Sequence, residues 1–178
     1  MRETDITSLI PEFKLIEDGD LRQKTIQVWE EAIKSRNWSL EDLKAMPFTL
    51  LIEEAAVNII QHTRAVTLCA FKISQVLKNE YRDRININQD YLLSGALLHD
   101  VGKLFEYKRK GKRFVKSEEG RLIRHPISGA SFASKYGLPQ EIIHIIAAHS
   151  KEGDGVRRTV EAVIVNHADF VNFEVFKE

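Results

Sequence analysis

Cysteine is almost absent from this chain, since Cys69 is the only one among 178 residues. A single cysteine excludes an intramolecular disulfide and a cysteine-rich zinc site. Because Cys69 lies within an apolar stretch, we interpret it as a small core residue. The chain therefore has neither of the two cysteine-based devices that stabilise many small domains.

Long hydrophobic runs and an excess of one charge are also lacking. No segment reaches the roughly 18 apolar residues of a transmembrane helix, and residues 1–5 lack the pattern of a signal peptide. The 26 basic and 26 acidic residues give a formal net charge of zero, so no global basic field is available to hold nucleic acid. We expect a cytoplasmic protein without membrane association or stable nucleic-acid binding, with a short oligonucleotide and a homo-oligomer left open as partners.

Apolar residues recur at helical spacing along most of the chain, which indicates a mainly α fold. A β-hairpin is expected between Phe105 and Lys116, turning at Lys110-Gly111, and a loop is expected at 117–120. The predicted helices cover 21–36, a short segment after Ser39, 49–81 with an open break near 58–62, 89–98, 125–136, 140–149 and 157–175.

The length of the chain fits one domain with a sizeable core. We predict a single-domain helical bundle with one small hairpin. Residues 1–48 are expected to form an N-terminal arm and helices that pack on a core domain at 49–175.

The most informative stretch is 97–103, where an apolar run ends in His99, Asp100, Gly102 and Lys103. Imidazole and carboxylate together suit a borderline divalent cation. Gly102 is expected to let the backbone turn after the two ligands, and Lys103 to offer charge to a phosphate oxygen. A buried helix end with a capping aspartate and a surface lysine would show the same residues.

The six histidines are spread over the whole helical pattern. Four lie at ends or breaks of predicted helices, where side chains from different elements can converge: His62, His99, His125 and His149. The other two, His144 and His167, point to different helix faces from His149 and Asp169. We interpret His144 and His167 as structural or surface residues.

The order of these residues resembles the HD superfamily of metal-dependent phosphohydrolases over residues 50–172. The minimal pattern of that family implies that one metal ion is held by His62, His99, Asp100 and Asp169. In the subset that binds two metals, further histidines correspond to His125 and His149, and the aspartate of the pair bridges. The chain is similar to the HD domains of bacterial 3′-to-5′ exoribonucleases and to small dinuclear HD nucleotide hydrolases.

This resemblance implies hydrolysis of a phosphomonoester or phosphodiester, such as a nucleotide or dinucleotide, by a metal-activated water. The imidazole-rich ligand set suits one or two ions of Mn, Fe, Co, Ni or Zn better than Mg. Asp100 and Lys103 are the expected catalytic residues, and Lys103 and Arg124 are expected to bind the small phosphorylated substrate. The alternative is a non-enzymatic HD-fold sensor that binds a nucleotide or a metal.

Two other charged segments allow more than one interpretation. The five basic residues within 108–113 form either a solvated hairpin tip or a flap that attracts an anionic substrate. Glu53 and Glu54 either accept hydrogen bonds from a ligating imidazole or lie on a solvated helix face.

Overall fold

A computed structural model describes residues 6–52 and 57–177 of the chain. Within these ranges the chain is helical apart from one antiparallel hairpin, which confirms the mainly α prediction. Three single turns of 3₁₀ helix follow the longer helices, at Arg82–Arg84, Ser134–Tyr136 and Lys151–Gly153. The elements in chain order are α1 (Ile6–Leu9), a 3₁₀ helix (Pro11–Leu15), α2 (Gly19–Ser35), α3 (Leu40–Ala45), α4 (Ile59–Tyr81), α5 (Gln89–Leu98), α6 (Lys103–Glu106), β1 (Tyr107–Lys110), β2 (Arg113–Lys116), α7 (Glu118–Leu122), α8 (His125–Ala133), α9 (Gln140–Ala148) and α10 (Val160–Glu174).

Side-chain caps decide where several helices begin. Ser39 and Asp42 form a capping box at α3, and Asn58 and Gln61 form another at α4. Asn88 caps α5 through its side-chain oxygen. Each cap satisfies a backbone N–H that has no partner inside the helix, and the Asn58 cap fixes the position of His62 in the first turn of α4.

Three element boundaries differ from the sequence prediction. The helix predicted from Thr49 starts only at α4 in the structure, where Asn58 is the N-cap and also pairs with Pro47 in an antiparallel bridge. The predicted loop at 117–120 is wrong, since Ser117 accepts a hydrogen bond from the Gly120 backbone and caps α7. Phe105 belongs to α6, so the hairpin starts at Tyr107.

Helix α5 is the central element of the fold. Its residues from Leu92 to Leu98 are buried on every face, as expected of a helix that is apolar all round. The buried Trp29 of α2 donates a hydrogen bond to the Leu97 carbonyl at 2.8 Å. A Cβ at Gly95 would lie 2.5 Å from Ile145 Cγ2, so the glycine permits α9 to pack closely. The interior position of α5 carries the residues that follow it into the core.

The N-terminal segment contributes to the same hydrophobic core. Ile6, Ile10 and Phe13 are buried together with Leu93 and Leu97 of α5. The division of the chain at 48/49 stays a prediction. Among the described helices, none combines the length and apolar character needed to cross a bilayer.

Candidate metal centre

The turn between α5 and α6 carries His99 and Asp100, and both side chains are buried. Gly102 in this turn has φ −63° and ψ −18°, which any residue can adopt. The backbone turns after the two ligands as expected, but it does so without a conformation that only glycine can adopt. A Cβ at Gly102 would lie 2.0 Å from the His125 carbonyl oxygen, so glycine is required because α8 passes so close. This close approach brings His125 next to Asp100.

One group of ligand-type atoms surrounds Asp100 Oδ2. His62 Nε2 lies 3.5 Å from this oxygen and His99 Nε2 lies 3.4 Å from it. Asp169 of α10 completes the group, with Oδ1 at 2.9 Å from His62 Nε2 and 3.8 Å from His99 Nε2. Residues separated by more than 100 positions along the chain thus present nitrogen and oxygen atoms to one point.

A second group surrounds the other oxygen of the same carboxylate. Asp100 Oδ1 lies 3.3 Å from His125 Nε2 and 3.8 Å from His149 Nε2, and the two imidazole nitrogens are 3.3 Å apart. His62, His99 and Asp100 form one buried cluster that could hold a metal ion, and Asp100, His125 and His149 form another. The structure therefore brings the six sequence-predicted ligands together, with the Asp100 carboxylate between the two groups.

Asp100 Oδ1 tests whether these residues fit a cation. This oxygen is buried and has no hydrogen-bond partner among the described residues. Burying a carboxylate oxygen without a partner costs free energy. A positive ion beside Oδ1, His125 and His149 would remove that cost. The donor set of imidazole and carboxylate fits a borderline divalent metal.

The hydrogen bonds on the outer side of two imidazoles support the same assignment. Nδ1 of His99 lies 2.6 Å from the Ala96 carbonyl oxygen, and Nδ1 of His149 lies 2.7 Å from that of Ile146. Both contacts require Nδ1 to carry the proton. The Nε2 atoms are consequently the ring nitrogens that face the carboxylate of Asp100, as in histidines that bind metals.

The charges in the cluster favour ionised carboxylates and a neutral His149, whereas the Asp100 charge overcomes the effect of burial and raises the pKa of His99. Burial alone would raise the pKa of Asp100, but the Lys103 ammonium and His99 hold it well below its usual range. Hydrogen bonding to His62 similarly overcomes burial and lowers the pKa of Asp169 to about 2. Burial, together with the charges of neighbouring histidines, lowers the pKa of His149 to about 3. At neutral pH the carboxylates are ionised and His149 is neutral, which is the state that metal binding requires.

Glu106 contacts the cluster, although no motif or spacing in the sequence marks it as a site residue. Its Oε2 accepts hydrogen bonds from the His125 backbone N–H at 2.8 Å and from His125 Nδ1 at 2.9 Å. Burial would raise the pKa of Glu106, but these bonds and the Arg124 charge lower it to about 2. A lone carboxylate at the end of a predicted hairpin carries no motif, so only the structure identifies this positioning residue.

The segment around His149 is held by two further residues that sequence reasoning missed. Asn166 Nδ2 donates to the His149 carbonyl at 2.7 Å. The Arg158 guanidinium donates to the carbonyls of Ala148 at 2.7 Å and Ser150 at 2.8 Å. These bonds satisfy the open carbonyls at the end of α9 and fix the backbone that presents His149.

The two predicted phosphate-binding residues lie beside the cluster. Lys103 is buried, with Nζ 2.6 Å from Asp100 Oδ2 and a hydrogen bond to the Phe48 carbonyl. Arg124 is 44% exposed, and its Nε lies 3.4 Å from Glu152 and 3.7 Å from Glu106. Both line the pocket described below, and their catalytic and substrate-binding roles stay predictions.

A pocket of about 370 Å³ reaches the cluster and is lined by His62, His125 and Asp169. This volume is at the lower end of the range for small-molecule sites. The rest of its lining is mixed, with apolar residues, the acidic Glu106 and Glu152, and the cationic Lys116, Arg124, Lys151 and Lys177. A small anionic molecule could therefore reach both groups of ligand-type atoms.

Several residues considered from the sequence lie elsewhere. His144 is half-buried, and its Nε2 accepts a hydrogen bond from the Thr159 backbone at 3.3 Å. His167 is exposed on α10. Glu53 and Glu54 lie outside the described residues. The basic hairpin is partly paired, since Lys108 contacts Glu118 at 2.8 Å and Arg109 contacts Asp42.

The comparisons with known proteins agree with this convergence of the six residues. The family model described as "HD domain" matches residues 59–171. The chain therefore belongs to the HD domain family, as its resemblance predicts.

Among curated proteins, the chain is 30% identical over 165 residues to the dihydroneopterin 2′,3′-cyclic phosphate phosphodiesterase of Methanocaldococcus jannaschii. That alignment covers 86% of this chain and 63% of the relative. It is also 38% identical over 115 residues to ribonuclease Y of Desulforudis audaxviator, covering 65% of this chain and 18% of that protein. The chain thus spans less than two thirds of the length of these relatives. No solved structure matches the chain.

Proposed function

We propose that this protein is a metal-dependent phosphohydrolase that acts on a small phosphorylated substrate. The observation that carries the proposal is the buried Asp100 carboxylate, which has imidazole nitrogens on both sides. Two of these histidines, His62 and His125, line a pocket that also contains several cationic residues. Similarity to a curated phosphodiesterase over 86% of the chain supports a phosphate ester as the substrate.

The residues assigned to metal binding are those of the two groups. His62, His99, Asp100 and Asp169 hold one divalent cation in this proposal, and His125 and His149 share Asp100 with a second. A cation bound there neutralises phosphate charge and lowers the pKa of water. The imidazole-rich set favours Mn, Fe, Co, Ni or Zn over Mg.

The remaining side chains of the pocket act on the substrate. Arg124 and Lys116 bind phosphate oxygens by charge-assisted hydrogen bonds. Lys103 holds the Asp100 carboxylate ionised and supplies positive charge near the reacting phosphate. These roles require no covalent intermediate with the protein, because positioning and electrostatic stabilisation are the main contributions to phosphoryl transfer.

The proposed substrate is a nucleotide, a dinucleotide or a related phosphodiester. The named relative acts on a cyclic phosphate of a pterin, which combines a phosphodiester with a flat heterocycle. The pocket volume of about 370 Å³ suits a molecule of mononucleotide size better than a long polymer.

The proposal is tested with protein loaded with Mn²⁺ or Co²⁺ and assayed on monoesters, cyclic phosphates and dinucleotides. We expect turnover by the wild type and a loss of at least about a thousandfold in Asp100→Asn, because the bridging charge is removed. His167→Ala is the matched control, since this histidine is exposed on α10. Equal turnover in wild type and Asp100→Asn would contradict the proposal. Nucleotide binding without turnover in any metal would favour a sensor.

A further inference from the structure

The pocket has two chemically different walls. The cationic wall adjoins the His125 group, because Glu106 contacts His125 and also lies within 3.7 Å of Lys116 and Arg124. The other wall adjoins His62 and is apolar, and its residues are Phe48, Leu50, Leu51, Ile52, Phe170 and Phe173. Two lysines lie at the edges of the apolar wall, since Lys103 donates to the Phe48 carbonyl and Lys177 lies over the Phe173 ring.

The aromatic part of the apolar wall is fixed in position. The Phe48 ring is stacked on the His62 ring, with centroids 4.5 Å apart and an interplanar angle of 30°. The Phe173 ring meets Phe48 edge to face at 6.1 Å. Since Phe48 is only 1% exposed, its ring is held rigidly beside a residue of the metal centre.

Other parts of this wall face solvent. Leu51 is 73% exposed although it lines the pocket, and exposed apolar side chains in a cleft are typical of ligand sites. The group over the face of Phe173 is the Lys177 ammonium, 4.5 Å from the ring centroid. Lys177 is a flexible side chain that a flat ring can displace or lie beside.

We propose that this aromatic wall binds a flat heteroaromatic ring attached to the phosphate, such as a nucleobase, while the cationic wall binds the phosphate. A π-ring gains offset-stacked and edge contacts with phenylalanine that an alkyl or sugar group cannot reproduce. The inference rests on the proposed phosphohydrolase function and specifies its substrate class. Phe173 is thus a specificity-determining residue.

The test compares Phe173→Ala and Phe173→Leu on two substrates with the metal-loaded enzyme. Adenosine 2′,3′-cyclic phosphate carries a ring, whereas glycerol 1,2-cyclic phosphate does not. We expect both variants to lower kcat/KM for the adenosine compound about tenfold or more, mainly through KM, as base stacking on aromatic residues implies. For the glycerol compound, kcat/KM should change less than about twofold. Arg124→Gln, on the other wall, should lower kcat/KM for both substrates.

Phe71→Leu is the matched control, because Phe71 lines a different surface recess with Gln75 and Lys78. This variant should leave the ratio of the kcat/KM values for the two substrates unchanged. Equal effects of Phe173→Ala on both substrates, or none on either, would overturn the inference while leaving the hydrolase function intact.

Binding distinguishes failure of the inference from failure of the function. Calorimetric titration with adenosine 5′-monophosphate should show weaker binding in Phe173→Ala than in wild type, with or without turnover. If no phosphoester is cleaved but this difference is present, the ring site stands and the hydrolase proposal fails. An alkyl phosphate that binds as tightly as adenosine 5′-monophosphate would contradict a site for flat rings.

Discussion

At the scale of single residues, the function depends on how each imidazole is oriented. Glu106 fixes His125 by accepting hydrogen bonds from both its backbone N–H and its Nδ1. A second carboxylate of this kind selects the tautomer that presents Nε2 to a metal. The residue therefore acts on the metal centre without belonging to the proposed ligand set.

Replacing Glu106 tests this positioning role. We expect Glu106→Ala to lower the affinity of the His125–His149 group about 10- to 100-fold and to reduce the bound metal per chain, as measured by elemental analysis. Glu152→Gln is the control, because Glu152 contacts Arg124 but none of the proposed ligands. Unchanged metal content in Glu106→Ala would contradict the role.

The sequence predicted the proposed ligands better than it predicted their supports. His62, His99, Asp100 and Asp169 were selected because their order matches a family pattern, and the structure brings them together. Glu106 was not selected, because its role arises from contacts that no spacing encodes. The order of residue types along the chain is enough to predict the ligands. The residues that hold those ligands by hydrogen bonds can be identified only when the folded structure shows which groups are neighbours.

At the scale of elements, the packing of α6 against α8 aligns the two groups. Gly102 lies at the crossing, where an added Cβ would approach the His125 carbonyl to 2.0 Å and the Gly129 nitrogen to 2.8 Å. Both atoms belong to backbone that cannot rotate away. The helices would have to separate to accept any side chain at this position.

Gly102→Ala is expected to lower the free energy of unfolding by about 1–3 kcal/mol or more, the usual cost of overpacking. Urea unfolding of the metal-free protein measures it. The control is Gly155→Ala, since a Cβ there meets nothing within 4 Å, and it should change stability by less than about 0.5 kcal/mol. A stable Gly102→Ala protein with intact metal binding would show that the helices adjust freely.

Elements with strong local signals were predicted well, and elements set by tertiary contacts were not. Asn88 and the apolar run after it predicted α5, and the structure has that helix from Gln89 to Leu98. The sequence after Thr49 has helical periodicity, but the described helix begins only after Asn58, which pairs with Pro47 in an antiparallel bridge. Helix periodicity describes burial, and it cannot reveal a backbone pairing with another segment.

At the scale of the whole molecule, the buried His149 makes the metal-free fold sensitive to acid. Burial, with the nearby charges of His99 and His125, lowers the pKa of His149 from 6.5 to about 3. Above pH 6.5 this imidazole is neutral in both folded and unfolded chains. As pH falls from 6.5 towards 3, the unfolded chain binds a proton that the folded chain does not, so stability is lost.

We therefore expect the metal-free protein to lose stability progressively between pH 6.5 and pH 3. His149→Gln should flatten that part of the profile, as measured by urea unfolding at each pH. His167→Gln is the control, because its side chain is exposed, and it should keep the wild-type slope. A wild-type profile that is flat over this window would contradict a neutral, buried His149.

The most direct test of the account is anomalous scattering from crystals of the protein grown with Mn²⁺. We predict a peak in coordination contact with Asp100 Oδ2 and the imidazoles of His62 and His99, and a second peak at Asp100 Oδ1 beside His125 and His149. Both peaks should disappear in Asp100→Asn. Full Mn²⁺ occupancy at some other place, with no density around Asp100, would contradict the claim that these distant segments converge to hold a metal.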